Sequence, residues 1–432
     1  MPVSAPVTMS ATLAVDESLA RRRSAGEPVL SLAGGEIGLP VLPLLEERLA
    51  AAAGRNAYGP VAGDAELRTA VAGYWRRRGL GTDPDLVVCG PGSKPLLFGL
   101  VLAVGGDVVI PRPGWVSYAA QARLAGGRAI SVPIRPGQGG VPDPDRLREA
   151  VVSARAAGRD PRSVVVTLPD NPTGTVAAPE TVRDLAVAAR DLGLVIISDE
   201  IYRELVFSPE TPLVSPAVFA PERTVVTTGP TKSLALGGWR MGVARIPDGP
   251  LGREVRTRLL GIASQIWSTT AAPVQAAAAY AFEEPPEVVT RIAESRRLHE
   301  TVVRAVAARF AAFGAALTPI QATCYLYPDF EPLRDGLART HGVRRGEELT
   351  ALTAERYGVG LLPGTAFDEP EHSLRIRVAT GRLYGESDTE RVTALSAADP
   401  LRLPWIKASL DRITEVLTDL TGPFAPGRAD TG

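Results

Sequence analysis

The sequence predicts an α/β protein with a large domain built on a doubly wound, mostly parallel sheet, joined to a smaller α+β domain. Between about residues 44 and 285, short apolar runs alternate with longer helical patterns. Several runs are apolar at consecutive positions, such as Val164, Val165 and Val166, which is typical of strands covered by helices on both faces. After about Pro285 the alternation stops and a different pattern begins.

The predicted elements follow in chain order. In the large domain the strands are 86–89, 107–110, 129–133, 163–168, 194–198, 224–228 and 242–246, and the helices are 64–78, 93–104, 116–124, 145–157 and 179–191. The small domain begins with a helix at 287–313 and continues with a strand at 322–327, a helix at 345–357, strands at 359–362 and 374–379, and a helix at 410–420. We therefore predict an N-terminal arm and part of the small domain at 1–43, the large domain at 44–285 and the small domain at 286–432.

Composition excludes several classes of function. The net charge of −1 argues against nucleic acid or an anionic membrane as the main partner. No apolar run approaches the roughly 20 residues that cross a bilayer, and the N-terminus does not have the pattern of a secretion signal. The two cysteines have no CxxC spacing and the three histidines lie far apart, so we expect no disulfide framework and no metal site. These features predict a cytoplasmic protein.

Lysine is rare in this chain and its positions are informative. It occurs only at Lys94, Lys232 and Lys407, and the other 44 of the 47 basic residues are arginine. Arginine stays protonated, whereas a lysine amine can lose its proton and condense with a carbonyl group. Lys407 is interpreted as a solvated surface residue, while Lys232 lies in a Gly-rich turn and is the candidate for such chemistry.

Polar or Gly-rich signals follow five of the predicted strands. The turn before Ser93 could hold an anion at a helix N-terminus, and Trp115, Asn171, Asp199 and Lys232 each follow a further strand. Taken alone, the turn before Ser93 is equally compatible with a plain strand-to-helix turn, Trp115 is more typical of packing, and Asn171 could belong to a simple Asn-Pro turn. Because ligands bind outside the carboxyl ends of strands in open α/β sheets, five signals at five strand ends together predict one site.

The ordered set resembles the fold type I pyridoxal-phosphate enzymes, specifically the class I/II aminotransferases related to aspartate aminotransferase. The motifs are Asn171-Pro-x-Gly, Asp199-Glu-x-Tyr202, Lys232 and the run Gly-Trp-Arg240-Met-Gly, and the resemblance covers about residues 31–420. It implies an enzyme that moves an amino group between an L-amino acid and a 2-oxo acid, with pyridoxal 5'-phosphate as cofactor.

The resemblance implies a role for each residue around the cofactor ring. Lys232 would hold the cofactor as an internal aldimine and then move the proton at the substrate Cα. Asp199 would pair with the pyridine nitrogen, Asn171 and the Tyr202 hydroxyl would hydrogen-bond the phenolic oxygen, and Trp115 would stack on the ring. Lys232, Asp199 and Tyr202 are the predicted catalytic residues.

The same resemblance also implies which residues bind the cofactor phosphate and which residue reaches the neighbouring subunit. The backbone N–H groups of Ser93 and Lys94, with the Arg240 guanidinium, would hold the phosphate. Tyr58 matches the family's tyrosine that reaches the phosphate of the neighbouring subunit, which implies a homodimer with shared active sites.

On the substrate side, Arg375 matches the family arginine that binds the α-carboxylate. Gly35 matches the glycine whose backbone lies beside that carboxylate, and Asn171 is also assigned to substrate binding. Arg377 is the competing candidate for Arg375, because residues two apart on a strand share a face.

Departures from the family pattern leave alternatives open. Gly229 stands where a phosphate-facing serine is often found, and about twenty extra residues at roughly 380–405 could line the substrate entrance or form a surface excursion. The same cofactor could also serve β- or γ-elimination or replacement, cyclisation, decarboxylation or oxidation of an amino acid. A ligand-sensing regulator on this fold is the third hypothesis, disfavoured because only about 30 residues precede the matched region.

Overall fold

The computed structural model describes residues 9–422; residues 1–8 and 423–432, at the outer ends of the predicted arm and small domain, lie outside the described residues. The helices are α1 (Ala11–Ser24), α2 (Pro43–Ala51), α3 (Ala65–Arg77), α4 (Ser93–Val104), α5 (Tyr118–Leu124), α6 (Pro144–Ala156), α7 (Pro179–Asp191), α8 (Pro230–Ser233), α9 (Pro250–Ile266), α10 (Ala272–Glu283), α11 (Pro286–Ala312), α12 (Arg334–His341), α13 (Gly346–Tyr357), α14 (Asp388–Ser396) and α15 (Pro404–Thr421). The strands are β1 (Leu30–Ser31), β2 (Val87–Gly90), β3 (Asp107–Arg112), β4 (Ala129–Pro133), β5 (Pro161–Thr167), β6 (Val195–Asp199), β7 (Thr224–Thr228), β8 (Gly242–Arg245), β9 (Tyr325–Leu326), β10 (Val359–Gly360), β11 (Leu362–Pro363) and β12 (Ile376–Ala379).

Seven of these strands form the central sheet, in the order β2-β8-β7-β6-β5-β3-β4. Pairing is parallel from β7 through β6, β5 and β3 to β4, whereas β8 is antiparallel to both of its neighbours. The predicted doubly wound, mostly parallel sheet is therefore confirmed, with all seven strands within two residues of their expected bounds.

Consecutive residues of the central strands pack against opposite helical layers, as the unbroken apolar runs predicted. Val165 and Ile197 belong to a buried cluster with α4, α5 and α9. Val164 and Ile196 belong to another cluster with α6 and α7. The sheet is thus buried on both faces, which leaves the carboxyl ends of its strands as the place where polar side chains can gather.

A second core lies around α11 and α15 and includes the short strands β9 and β12. Leu32 and Ile37 from the N-terminal part belong to the same buried cluster, and β1 pairs in parallel with β10. On these contacts we propose the division 1–43, 44–285 and 286–432, in which the first segment completes the small domain.

The extra segment at about 380–405 folds back onto this second core. It contains α14, whose capping box joins Ser387 to Glu390. Tyr384 is fully buried, its hydroxyl bonds to Nδ1 of His299, and its carbonyl accepts a 2.8 Å hydrogen bond from Trp405 Nε1. Between residues 9 and 422 there is no helix with the length and apolar character needed to cross a membrane.

Candidate active site

The carboxyl ends of the parallel strands open into a cavity of about 510 Å³. The parallel register places Thr167, Asp199 and Thr227 side by side at the ends of β5, β6 and β7. The turn from β2 into α4 and the segment after β3 supply further walls. The cavity brings together most of the residues that the sequence singled out: Gly35, Ser93, Lys94, Trp115, Asn171, Asp199, Tyr202, Lys232 and Arg240.

Lys232 lies in α8, directly after β7, and its amine points into the cavity. Its Nζ donates a hydrogen bond to the carbonyl oxygen of Gly35 and lies 5.8 Å from the centre of the Tyr202 ring. A Cβ on Gly35 would come within 2.8 Å of the Tyr325 hydroxyl and 3.9 Å of Lys232 Nζ. A side chain at position 35 would therefore collide with the Tyr325 hydroxyl and displace it from its place beside the lysine.

Asp199 is a buried carboxyl group that forms no ion pair with any described residue. It accepts hydrogen bonds from the Tyr118 hydroxyl at 3.2 Å and from Thr227 Oγ1 at 3.3 Å. Burial raises the pKa of Asp199 to about 6, and these hydrogen bonds only partly oppose that shift. The site therefore fits a ligand that presents a positively charged or protonated ring nitrogen to this carboxylate.

Three polar side chains form a network next to Lys232. The Tyr202 hydroxyl lies 3.4 Å from Nδ2 of Asn171 and 3.0 Å from the Tyr325 hydroxyl, and the latter donates to Gly35 O at 3.3 Å. Burial is the main cause that raises the pKa of Tyr202 well above its ordinary value. Tyr202 is therefore a neutral hydrogen-bond donor at neutral pH.

The other end of the cavity is suited to an anion. The buried Oγ of Ser93, at the N-terminus of α4, has no hydrogen-bond partner among the described residues. Gly92 adopts φ 97°, and a Cβ there would collide with the Arg240 guanidinium, so glycine permits the close approach. Partial burial, followed by the charges of Arg240 and Lys232, lowers the pKa of Lys94. Concentrated positive charge, free N–H groups of a helix N-terminus and an orphaned hydroxyl together fit a phosphate.

Arg377, rather than Arg375, lines the cavity. Arg377 is 1% exposed; its Nη1 donates to Asn171 Oδ1 at 3.0 Å and its Nη2 to the carbonyl of Ala33. It forms no ion pair with a described residue, and a buried guanidinium without an anion is costly. An anionic ligand group beside Asn171 would complete its bonding.

The sequence favoured Arg375 for this role, but the structure places its guanidinium outside the cavity. It bonds to Asp329 at 3.0 Å and to Glu369 at 2.9 Å. Arg375 precedes β12 and pairs with Asp329 through an isolated backbone bridge, so its charge is already met by these carboxylates. Of the two arginines, Arg377 is therefore the one whose guanidinium can meet an anion in the cavity.

Tyr58 is the other predicted residue that lies outside the cavity. It is 89% exposed and is not among the residues that line the cavity. Within the described part of the chain, no group of three or more His, Cys, Asp or Glu side chains could hold a metal ion.

Several residues that line the cavity or support its side chains were not anticipated from the sequence. Tyr118 and Thr227 support Asp199, and Tyr325 supports Tyr202. Thr227 could have been found, because it is adjacent to Asp199 once neighbouring parallel strands end at the same level. Asp16 of α1 and Arg382 of the segment after β12 also line the cavity, and only tertiary structure brings them there.

Comparison with known proteins gives a consistent result. Residues 29–383 match the family described as aminotransferase class I and II. A probable aspartate/prephenate aminotransferase of Thermus aquaticus is 32% identical, over 86% of this chain and 92% of that protein. An aspartate aminotransferase of Geobacillus stearothermophilus is 30% identical, over 90% and 96%. The structure of Thermus thermophilus aspartate aminotransferase with maleate aligns with a TM-score of 0.79 at 27% identity, covering 95% of this chain and 97% of that one.

Proposed function

The chain belongs to the class I and II aminotransferase family, and from this premise we propose how its own residues carry out the reaction. Membership confirms the predicted fold type, the enzyme class and the dependence on pyridoxal phosphate. The protein is therefore a pyridoxal-phosphate-dependent aminotransferase. The roles of individual side chains are the proposal.

One observation carries this assignment of roles. The cavity holds a lysine amine, Lys232, together with a buried carboxylate without a cation, Asp199, and a buried guanidinium without an anion, Arg377. A protonated ring nitrogen supplies the missing partner of Asp199, and an amino acid α-carboxylate supplies that of Arg377. A ligand pair that carries both charges, with the reacting carbon near Lys232, satisfies the site.

The residues present fit the cofactor. The N–H groups of Ser93 and Lys94 and the Arg240 guanidinium would hold its phosphate, and Trp115 would cover one face of the ring. Asp199 would keep the ring nitrogen protonated, and Asn171 and Tyr202 would bond the phenolic oxygen. When bound, pyridoxal phosphate supplies the carbonyl carbon that exchanges the amino group and an electron-withdrawing ring that stabilises negative charge at the substrate Cα.

The substrate side follows from the same contacts. Arg377 would bind the α-carboxylate through its guanidinium fork, with Asn171 orienting it. Lys232 Nζ would then remove the proton from the substrate Cα and return a proton in the second half of the reaction. The carbonyl of Gly35 accepts a hydrogen bond from Nζ, which orients the amine within the cavity.

A half-reaction experiment tests the reaction class. The purified holoenzyme is mixed with single L-amino acids, and the cofactor spectrum and products are recorded. We expect stoichiometric pyridoxamine phosphate and the matching 2-oxo acid. Release of ammonia, a cyclised product or consumption of oxygen would instead assign the chain to another reaction of the same cofactor.

A homodimer with shared active sites is the second part of the proposal. Tyr58 is 89% exposed and does not line the cavity of its own subunit, and we propose that it reaches the phosphate site of the neighbouring subunit. Mixing subunits tests this. Lys232→Ala and Tyr58→Phe proteins, each impaired alone, should regain activity in mixed dimers, since one of the two sites would then contain both native residues. Absence of recovery in verified mixed dimers contradicts the shared site.

We propose the cytoplasm as the compartment. Cys89 and Cys324 are free, buried thiols, which is typical of a reducing environment.

A further inference from the structure

Three charged side chains form a group at the outer end of the cavity. Arg382, in the segment after β12, donates from Nη1 to Asp16 of α1 at 3.1 Å and from Nη2 to Glu36 at 2.6 Å. All three line the cavity. The side chain of Asp16 is 20% exposed, that of Arg382 33% and that of Glu36 64%, so this group lies on the solvent side of the deeply buried Arg377 and Asp199.

The group lies beside the reacting centre. Ala33 accepts a hydrogen bond from Arg377, and Gly35 accepts one from Lys232. Gly34 lies between them, and a Cβ on it would be 3.0 Å from Cζ of Arg382 and 3.1 Å from both carboxylate oxygens of Asp16. In the roles proposed above, a substrate held by its α-carboxylate and amino group would extend its side chain towards this group.

The charges of the cavity do not balance at this outer end. Of the lining side chains, five are basic and three are acidic: Lys94, Lys232, Arg240, Arg377 and Arg382 against Asp16, Glu36 and Asp199. In the roles proposed above, Arg240 and Lys94 face a phosphate with a charge of about −1.5 to −2. Asp199 faces the ring nitrogen, and Arg377 faces the α-carboxylate. Two carboxylates then remain against the single guanidinium of Arg382, which leaves a formal charge of −1.

One part of the cavity wall is apolar and includes Leu13 of α1, Ile37 and Val116. Cationic side chains combine methylene stems with a charged tip and place the stem on apolar surface. A chain of three or four methylene groups could lie along this wall with its charged end at Asp16 and Glu36.

We propose that the outer end of the active site selects amino-acid substrates with a positively charged side chain, an ammonium or a guanidinium, through Asp16 and Glu36. The inference rests on the proposed function, because it uses the placement of the α-carboxylate on Arg377. With such a substrate bound, the two carboxylates face two cations and the outer end is neutral. An anionic side chain would instead have to displace Glu36 from Arg382 and add to the negative charge.

Binding is separated from turnover by stopped-flow absorbance of the holoenzyme's cofactor, in which the concentration dependence of the first spectral change gives a dissociation constant for L-ornithine and for L-norvaline. These amino acids share a carbon skeleton and differ by the terminal amino group. We expect ornithine to bind at least about tenfold more tightly than norvaline, a difference of about 1.4 kcal/mol. Glu36→Gln and Asp16→Asn should each reduce this ratio about three- to tenfold. L-Aspartate and L-glutamate should bind more weakly than norvaline.

Glu17→Gln is the matched control, since Glu17 is exposed on α1 next to Asp16 and does not line the cavity. It should leave the ornithine-to-norvaline ratio unchanged. Tighter binding of aspartate than of ornithine, or a ratio unaffected by Glu36→Gln, overturns the proposal. If ornithine binds selectively but does not convert the cofactor to pyridoxamine phosphate, the charge selection stands and the proposed transamination fails.

Discussion

Arg377 and Arg375 are only two residues apart, but we expect replacement of Arg377 to impair substrate binding and replacement of Arg375 to impair stability. Arg377 is 1% exposed, lines the cavity and forms no ion pair with a described residue. Arg375 lies outside the cavity, where its partners are Asp329 and Glu369. The two variants should therefore fail in different assays.

The magnitude for Arg377→Ala follows from the bonds that the substrate loses. A guanidinium fork gives an α-carboxylate two charge-assisted hydrogen bonds, each worth about 1.5–3 kcal/mol. Loss of both raises the barrier by roughly 3–6 kcal/mol, which is a decrease in kcat/KM of roughly 10²- to 10⁴-fold. Arg377→Lys should recover only part of this loss, because an ammonium cannot form the fork.

Arg375→Ala should leave kcat/KM within about threefold, because an arginine outside the cavity makes no contact that changes in the transition state. It should instead lower the melting temperature, since the side chain of Glu369 is only 7% exposed and loses its cation. Steady-state kinetics and thermal denaturation of both variants provide the measurements. A large loss of kcat/KM in Arg375→Ala, with Arg377→Ala nearly unaffected, would restore the assignment that the sequence favoured and refute the geometric one.

The remaining predictions concern the cofactor and pH. Lys232→Ala should abolish covalent retention of the cofactor after borohydride treatment, read as intact mass, and also turnover; near wild-type rates would contradict the role of Lys232. Ser93→Ala should weaken cofactor affinity about tenfold by equilibrium dialysis, by analogy with the loss of one hydrogen bond to a charged group; unchanged affinity would place the phosphate elsewhere. Burial raises the pKa of Asp170 to about 7, so the wild type should lose stability as pH rises from about 4 towards 7 and stay level above that. Asp170→Asn removes this dependence and should gain roughly 2–3 kcal/mol relative to wild type between pH 5 and pH 8 in denaturant titrations; a difference independent of pH would refute it.

The central sheet could be predicted because the apolar pattern that produces each strand lies within a short stretch of sequence. Strands buried on both faces need consecutive apolar residues, and the runs around Val165 and Ile197 have them. Parallel strands of one sheet expose their carboxyl ends at one edge. The residues that follow five separate strands can therefore be assigned to one site without knowing how the helices pack.

The substrate end could not be predicted in the same way. Successive side chains of a strand point to opposite faces, so Arg375 and Arg377 are expected on the same face and the pattern cannot distinguish them. Burial distinguishes them, and burial depends on where the chain enters β12. Arg375 lies just before the strand and meets Asp329, whereas Arg377 lies within it and meets Asn171. Such long-range contacts have no local signal.

The same reason applies to the outer wall of the site. Asp16 and Arg382 are 366 positions apart and meet through an ion pair of 3.1 Å. The turn that presents Arg382 is held by a 2.9 Å hydrogen bond from Gly38 N to the carbonyl of Gly381. The arm and the extra segment were each visible in the sequence, but only folding places them together over the cavity.

The unpaired charges of the site explain why reaction chemistry and side-chain selection can be separate properties of this chain. Asp199 and Arg377 are buried with unmet charge, so the protein without ligands bears a desolvation cost that a cofactor nitrogen and an α-carboxylate can relieve. Every amino acid carries an α-carboxylate, so this inner end cannot discriminate among side chains. Discrimination must come from groups that meet the side chain, and in our proposal these are Asp16 of α1, Glu36 between β1 and α2, and Arg382 after β12. Changes confined to these three positions should therefore alter which amino acid is used and leave the binding of the cofactor intact.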